Sequence, residues 1–134
     1  ISYNASFEWR VRARDSFGHW SEWTATRTFS TALHAHPWID FTWSPTSPSV
    51  NEVVQFTDGS IVYSTPPTKT SFFWTFPDGS PATSSVQNAT TTFTSAGSKN
   101  VSLRVRDFSN FECTGLRSVS ITLPLPEWRE IIPF

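Results

Sequence analysis

Apolar and polar residues alternate with a period of two along much of the chain. Over residues 7–14 the alternation sets Phe7, Trp9, Val11 and Ala13 on one side and Glu8, Arg10, Arg12 and Arg14 on the other, predicting a strand with one core face and one basic face. Asp15-Ser16-Phe17-Gly18 carries turn residues, Trp20-Ser21-Glu22-Trp23-Thr24 follows, and a second strand is predicted over 26–31. Together these make a β-hairpin. Pro37 disfavours continued pairing, so a boundary is placed at the short polar stretch 34–37.

Beyond that boundary the pattern restarts. Strands are predicted over 38–43, 52–57, 71–76, 89–94, 99–106 and 117–123, separated by Pro45, Pro48, Pro66-Pro67, Asp78-Gly79-Ser80-Pro81 and Ala96-Gly97. Val101, Leu103 and Val105 alternate with Ser102, Arg104 and Arg106, and Val119, Ile121 and Leu123 with Ser118, Ser120 and Thr122. Each strand thus has one buried and one wet face, as in a β-sandwich. Two prolines, Pro124 and Pro126, stop the last strand, and residues 124–134 read as a linker into a following domain.

Composition narrows the picture. The 134 residues suit one β-sandwich plus an incomplete element, and 16% aromatic residues without a single Met is a strand-forming rather than a helix-forming composition. A net charge of -1 provides no whole-chain field for nucleic acid. The lone Cys113 allows neither an internal disulfide nor a cysteine-based zinc site. No apolar run of about 18 residues crosses a membrane, and the first residues are not organised as a signal peptide. The chain is expected to be an interior piece of a longer polypeptide.

Three motifs occur in order across residues 38–123. They are Gln55-Phe56-Thr57-Asp58-Gly59-Ser60, then Phe73-Trp74-Thr75-Phe76-Pro77-Asp78-Gly79, then Gly97-Ser98-Lys99-Asn100-Val101-Ser102-Leu103-Arg104-Val105-Arg106-Asp107. This region resembles the polycystic-kidney-disease (PKD) repeat, which has Trp-Asp-Phe-Gly-Asp-Gly at the second motif and Gly-x-Tyr-x-Val-x-Leu-x-Val-x-Asp at the third. The resemblance implies an immunoglobulin-like β-sandwich of a surface or secreted protein. Its structural motif residues would be Trp74, Phe76, Asp78, Gly79, Gly97, Val101, Leu103, Val105 and Asp107. Thr75, Pro77 and Lys99 depart from the family pattern, and Lys99 removes one expected core aromatic.

Residues 1–33 resemble the last strands of a fibronectin type III domain, with Phe7 where that family has a corner tyrosine. The segment Trp20-Ser21-Glu22-Trp23-Thr24 is similar to the Trp-Ser-x-Trp-Ser box of cytokine-receptor modules, which implies a structural ladder of Trp20 and Trp23 interleaved with Arg10, Arg12 and Arg14. The fold class is therefore all-β, a PKD-like sandwich preceded by a partial fibronectin type III-like hairpin. The strands missing from that hairpin either precede the chain in the full polypeptide or come from another subunit.

Candidate chemistry is sparse. His34 and His36 have a spacing metals use, but with His19 as the only other histidine a zinc site lacks ligands, so no metal is assigned. Asp58, Asp78 and Asp107 are the only nominees for calcium, which needs six to eight oxygens, and turn formation by Asp58 and Asp78 is the preferred reading. No nucleophile, phosphate loop or cofactor motif is recognisable, so the chain is not expected to be an enzyme. Asn4, Asn88 and Asn100 match the N-glycosylation pattern. Trp38, Trp43, Phe111 and Trp128 exceed the needs of one core and could contact a glycan or a surface protein.

The expected function is that of a structural or adhesive spacer, extracellular or at the cell surface, touching neighbouring domains or identical subunits. A self-assembling filament or sheath subunit completed by strand exchange, and an accessory polysaccharide- or protein-binding domain of a secreted hydrolase, are the alternatives.

Overall fold

The computed structural model of the chain describes residues 2–124. Trp128 and all but the first residue of the 124–134 segment lie outside them. Two compact units are present, Ile1–Ala35 and His36–Phe134.

In the first unit, β1 (Ser6–Trp9) and β2 (Arg27–Ser30) pair antiparallel with Phe7 opposite Phe29, and the two rings stack at 5.3 Å. The strand predicted over 7–14 stops at Trp9, and Arg14 and Trp20 form only an isolated bridge. The cause is local. Thr24 Oγ1 and Ser21 Oγ accept the backbone N–H groups of Val11 (3.0 Å) and Ala13 (2.9 Å), so side chains replace the carbonyls of a regular ladder. Its predicted core face stays open, with Trp9 45% and Val11 51% exposed, because the described residues of this unit form one layer only.

The second unit is an immunoglobulin-like β-sandwich. Its strands are β3 (Phe41–Ser44), β4 (Val53–Asp58), β5 (Lys69–Thr75), β6 (Gly79–Ser80), β7 (Thr83–Ser84), β8 (Ala89–Phe93), β9 (Gly97–Asp107) and β10 (Glu112–Ile121). One sheet has the order β10-β9-β5-β7 and the other β3-β4-β8-β6. Between them lie Phe41, Phe56, Trp74 and Phe76, with Trp74 meeting Phe41 edge-on at 5.1 Å and stacking on Phe76 at 5.8 Å. Trp74 Nε1–H donates to the Val86 carbonyl (3.0 Å), so the largest buried ring leaves no unpaired donor. Val101, Leu103 and Val105 of β9 are fully buried beside Val119 and Ile121 of β10.

Four sequence expectations need correction. The strand over 38–43 is shorter, since Ser60 Oγ bonds both the N–H and the carbonyl of Asp40 and separates the Trp38–Ile61 bridge from β3. The last strand begins at Glu112 and ends at Ile121, leaving Leu123 71% exposed instead of inward. Trp43 is half-buried against Phe41 and Phe56 rather than surplus at the surface. Lys99 occupies the missing aromatic's position at 7% exposure, its stem buried and its ammonium reaching Asp78 Oδ2 (2.8 Å) and Ser95 Oγ (2.7 Å).

Candidate functional site

Strand β10 organises both ends of the sandwich. At its start, the incoming segment 36–40 lies across it like a strap. His36 Nδ1–H donates to the Glu112 carbonyl (3.2 Å), and its ring stacks on Phe111 at 4.9 Å. Pro37 is buried, and Asp40 pairs with Arg117. Ile39 lies over Gly115, where an added Cβ would sit 2.7 Å from Ile39 Cγ2. Only glycine leaves room for that approach. At the far end, Val50 N–H donates to the Thr122 carbonyl and Thr122 N–H to the Pro48 carbonyl, both 2.9 Å, forming a parallel bridge. Ten residues separate Glu112 from Thr122, about 33 Å at strand rise.

The three aspartates nominated for calcium do not converge. Asp58 Oδ1 accepts the Ser60 N–H (2.9 Å), while Oδ2 accepts from Lys69 Nζ (2.5 Å) and Gln87 Nε2 (3.3 Å). Burial pushes this carboxyl up, but the bonds from Lys69 and Ser60 outweigh it and hold it below its ordinary value. Asp78, in the left-handed region at φ 58°, gives Oδ2 to Lys99, whose hydrogen bond and charge hold its carboxyl low. An added Cβ on the adjacent Gly79 would meet Phe76 Cβ at 2.6 Å, which fixes the residue type at that turn. Asp107 is fully buried and accepts the N–H groups of Ser109 and Phe111, both 2.9 Å, closing the β9–β10 hairpin. Two of the three carboxylates therefore already hold a lysine ammonium. Among the described residues no group of three or more His, Cys, Asp and Glu is placed for a metal ion.

The histidines also have other partners. His34 Nδ1–H donates to the Ala35 carbonyl (2.7 Å), and His19 lies 3.3 Å from Asp15. Beside β10, Arg106 donates from two nitrogens to Glu112 Oε2 (3.1 and 2.9 Å), and this bond holds the Glu112 carboxyl below its usual range.

In the hairpin unit the guanidinium and indole groups form one alternating stack. Its order is Arg10, Trp23, Arg12, Trp20, Arg14, with successive guanidinium-to-ring distances of 4.6, 4.6, 4.2 and 5.6 Å. Arg27 lies 5.9 Å over Trp9. Sequence spacing alone could not show that Ser21 and Thr24 set this register through their hydroxyls.

The outward-facing residues of the sandwich include Trp38 (58% exposed), Ile61 and Tyr63 (46% each), with Trp38 and Ile61 joined by reciprocal backbone bonds of 2.9 Å. Sequence reading named Trp38 but missed Ile61 and Tyr63, because the run Ile61-Val62-Tyr63 is apolar throughout and does not show in sequence which of the three faces outward. Phe111 is half-buried under His36. Asn4, Asn88 and Asn100 are exposed, and Asn88 Oδ1 accepts the Asp58 N–H (3.0 Å).

The family model of the PKD domain matches residues 34–122. Among solved structures, the PKD1 domain of Vibrio anguillarum Epp is similar, with 22% identity and a TM-score of 0.55 over 67% of this chain and 98% of that one. The PKD1 domain of the Vibrio cholerae metalloprotease PrtV gives 23% identity and a TM-score of 0.52 over 66% of this chain and 99% of that one. A structure from work on the promiscuous specificity of carbohydrate-binding modules of the β-sandwich superfamily gives 24% identity and a TM-score of 0.57, covering 66% of this chain and 35% of that one. These likenesses concern the fold. No curated protein matches the chain.

Proposed function

Since the chain belongs to the PKD domain family, whose members are generally non-catalytic modules of multidomain proteins, we propose that it is a spacer in an extracellular or cell-surface polypeptide. The observation that supports this reading most is the use of one strand as a strut. The incoming segment is fastened to the first half of β10, and the chain leaves from the far end of the same strand, where Thr122 is bridged to residues 48–50, so entry and exit are about 33 Å apart. A module fastened at opposite ends adds fixed length between its neighbours, whereas one with adjacent termini adds none. Contact with those neighbours is the adhesive part of the proposal.

The test is replacement in the natural polypeptide. Residues 36–122 are exchanged for an unrelated rigid sandwich of equal end-to-end span, or for a flexible linker. The spacer reading expects attachment or reach to survive the first exchange and fail with the second. Loss with both would overturn it in favour of a specific contact made by this surface.

A second reading rests on Trp38 and Ile61, exposed residues that a backbone bridge pairs, with exposed Tyr63 two residues further along the chain. Such a patch suits stacking on a neutral sugar or anchoring a protein partner. Retention on insoluble polysaccharide that Trp38→Ala abolishes, with the sandwich still folded, would favour it.

A further inference from the structure

The alternating stack of the hairpin unit has a property that a purely structural ladder does not need. Both faces of Trp20 and both faces of Trp23 are covered by guanidinium groups, yet the residues themselves remain exposed, Trp20 by 52% and Trp23 by 44%. Each guanidinium carries five N–H donors in a planar fork, and stacking occupies its face while leaving its edge available. Among the described residues, Arg14 is the one stacked arginine that donates a hydrogen bond, from Nε to the Gly18 carbonyl (3.1 Å). Among the described residues no carboxylate lies within ion-pair distance of Arg10, Arg12, Arg14 or Arg27. Asp15, the nearest acid in sequence to Arg14, is committed to the N–H groups of Phe17 and His19. Glu8 and Glu22 complete the acids of this unit and leave it one positive charge in excess, four arginines against three carboxylates.

Arg10, Arg12 and Arg14 therefore form a comb of preoriented cations, repeating every two residues, or about 7 Å along an extended backbone. We propose that this comb binds a linear sulfated polysaccharide, its sulfates accepting paired N–H bonds from the guanidinium edges. Charge complementarity supports the assignment, and the stacking narrows it. A single-stranded nucleic acid needs free aromatic faces for its bases, and a neutral sugar needs one for its ring. Both indoles have already given theirs to arginine. The inference is independent of the spacer reading, which concerns the other unit.

The experiment uses the whole chain and a highly sulfated glycosaminoglycan oligosaccharide of about ten sugars, with the desulfated oligosaccharide and an oligonucleotide of equal charge as comparisons. Binding to the sulfated chain is expected to weaken steeply with salt, and the desulfated chain is expected not to bind. Arg12→Gln, at the centre of the stack, should weaken binding about tenfold, in line with loss of one charge-assisted fork. Arg10→Gln, stacked on one indole only and without the turn bond that Arg14 makes to Gly18, should weaken it while disturbing the hairpin least, and both variants are checked by near-ultraviolet tryptophan dichroism. Equal binding of sulfated and desulfated chains, tighter binding of the oligonucleotide, or unchanged affinity in a folded Arg10→Gln protein would overturn the proposal.

Discussion

Replacing Asp58 by Asn removes one charge at the point where three segments meet. The Asp58 side chain is fully buried and Lys69 is 20% exposed, so the pair is only partly open to water. Breaking a fully buried pair costs about 3–5 kcal/mol. Two features reduce that figure here. The amide oxygen of Asn retains the Ser60 N–H bond, and the Lys69 ammonium can turn toward solvent. What remains is one hydrogen bond to a charged group, about 2 kcal/mol. For a domain of this size each kcal/mol lowers the melting temperature by about 4–8 °C, so Asp58→Asn should melt about 8–16 °C lower at neutral pH. Calorimetry across a pH series gives the decisive comparison. The folded Asp58 carboxyl lies below its unfolded value, so its contribution is present above about pH 4 and disappears as pH falls through the folded value. The gap between the two proteins should therefore close in acid. A gap under about 0.5 kcal/mol at neutral pH, or one of equal size at pH 3, would refute the account of this cluster.

Gly115→Ala should destabilise the sandwich by about 1–3 kcal/mol, because the new methyl meets Ile39. Limited proteolysis should then cut within 36–40 before the rest of the sandwich. Lys99→Ala should lower the melting temperature more than Lys99→Met, since the buried stem contributes packing while Asp78 can return to water; the reverse order would mean that the ion pair dominates. Asp58, Asp78 and Glu112 all have depressed carboxyl values, so stability should be level above about pH 5 and fall below about pH 4, as followed by thermal melts. Millimolar calcium or chelator should shift the melting temperature by less than about 1 °C, since lysine already occupies two of the nominated carboxylates.

Period-two alternation was enough to locate the inward residues of β9, because a strand buried on one face writes its register into the sequence. Trp74 and Phe76 were named through the resemblance to the PKD repeat, and both lie in the core. The beginning of β10 was not legible. Cys113, Thr114 and Gly115 sit at an edge where little of the alternation is enforced by burial, and the residue that covers Gly115 comes from 76 positions earlier, at Ile39. Lys99 misled for a different reason. A residue that is mostly aliphatic by volume can fill an aromatic's position if its charged end finds a partner, and the partner Asp78 belongs to a separate motif. The arginine and tryptophan ladder was implied by the resemblance to the Trp-Ser-x-Trp-Ser box, but its lack of carboxylate partners among the described residues required coordinates.

The parallel bridge between residues 48–50 and Thr122 also decides how the sandwich would respond to tension. A pull on the outgoing chain acts along β10, lengthwise to the paired strands rather than across them. The two bonds at Thr122 and the ladder joining β10 to β9 from Gly97 to Arg106 would then bear load together. A domain loaded in this direction yields when many bonds fail at once, whereas one peeled from an end opens bond by bond. Under the spacer proposal, the same ten-residue strand that would set the distance between neighbours would also make the connection between them stiff.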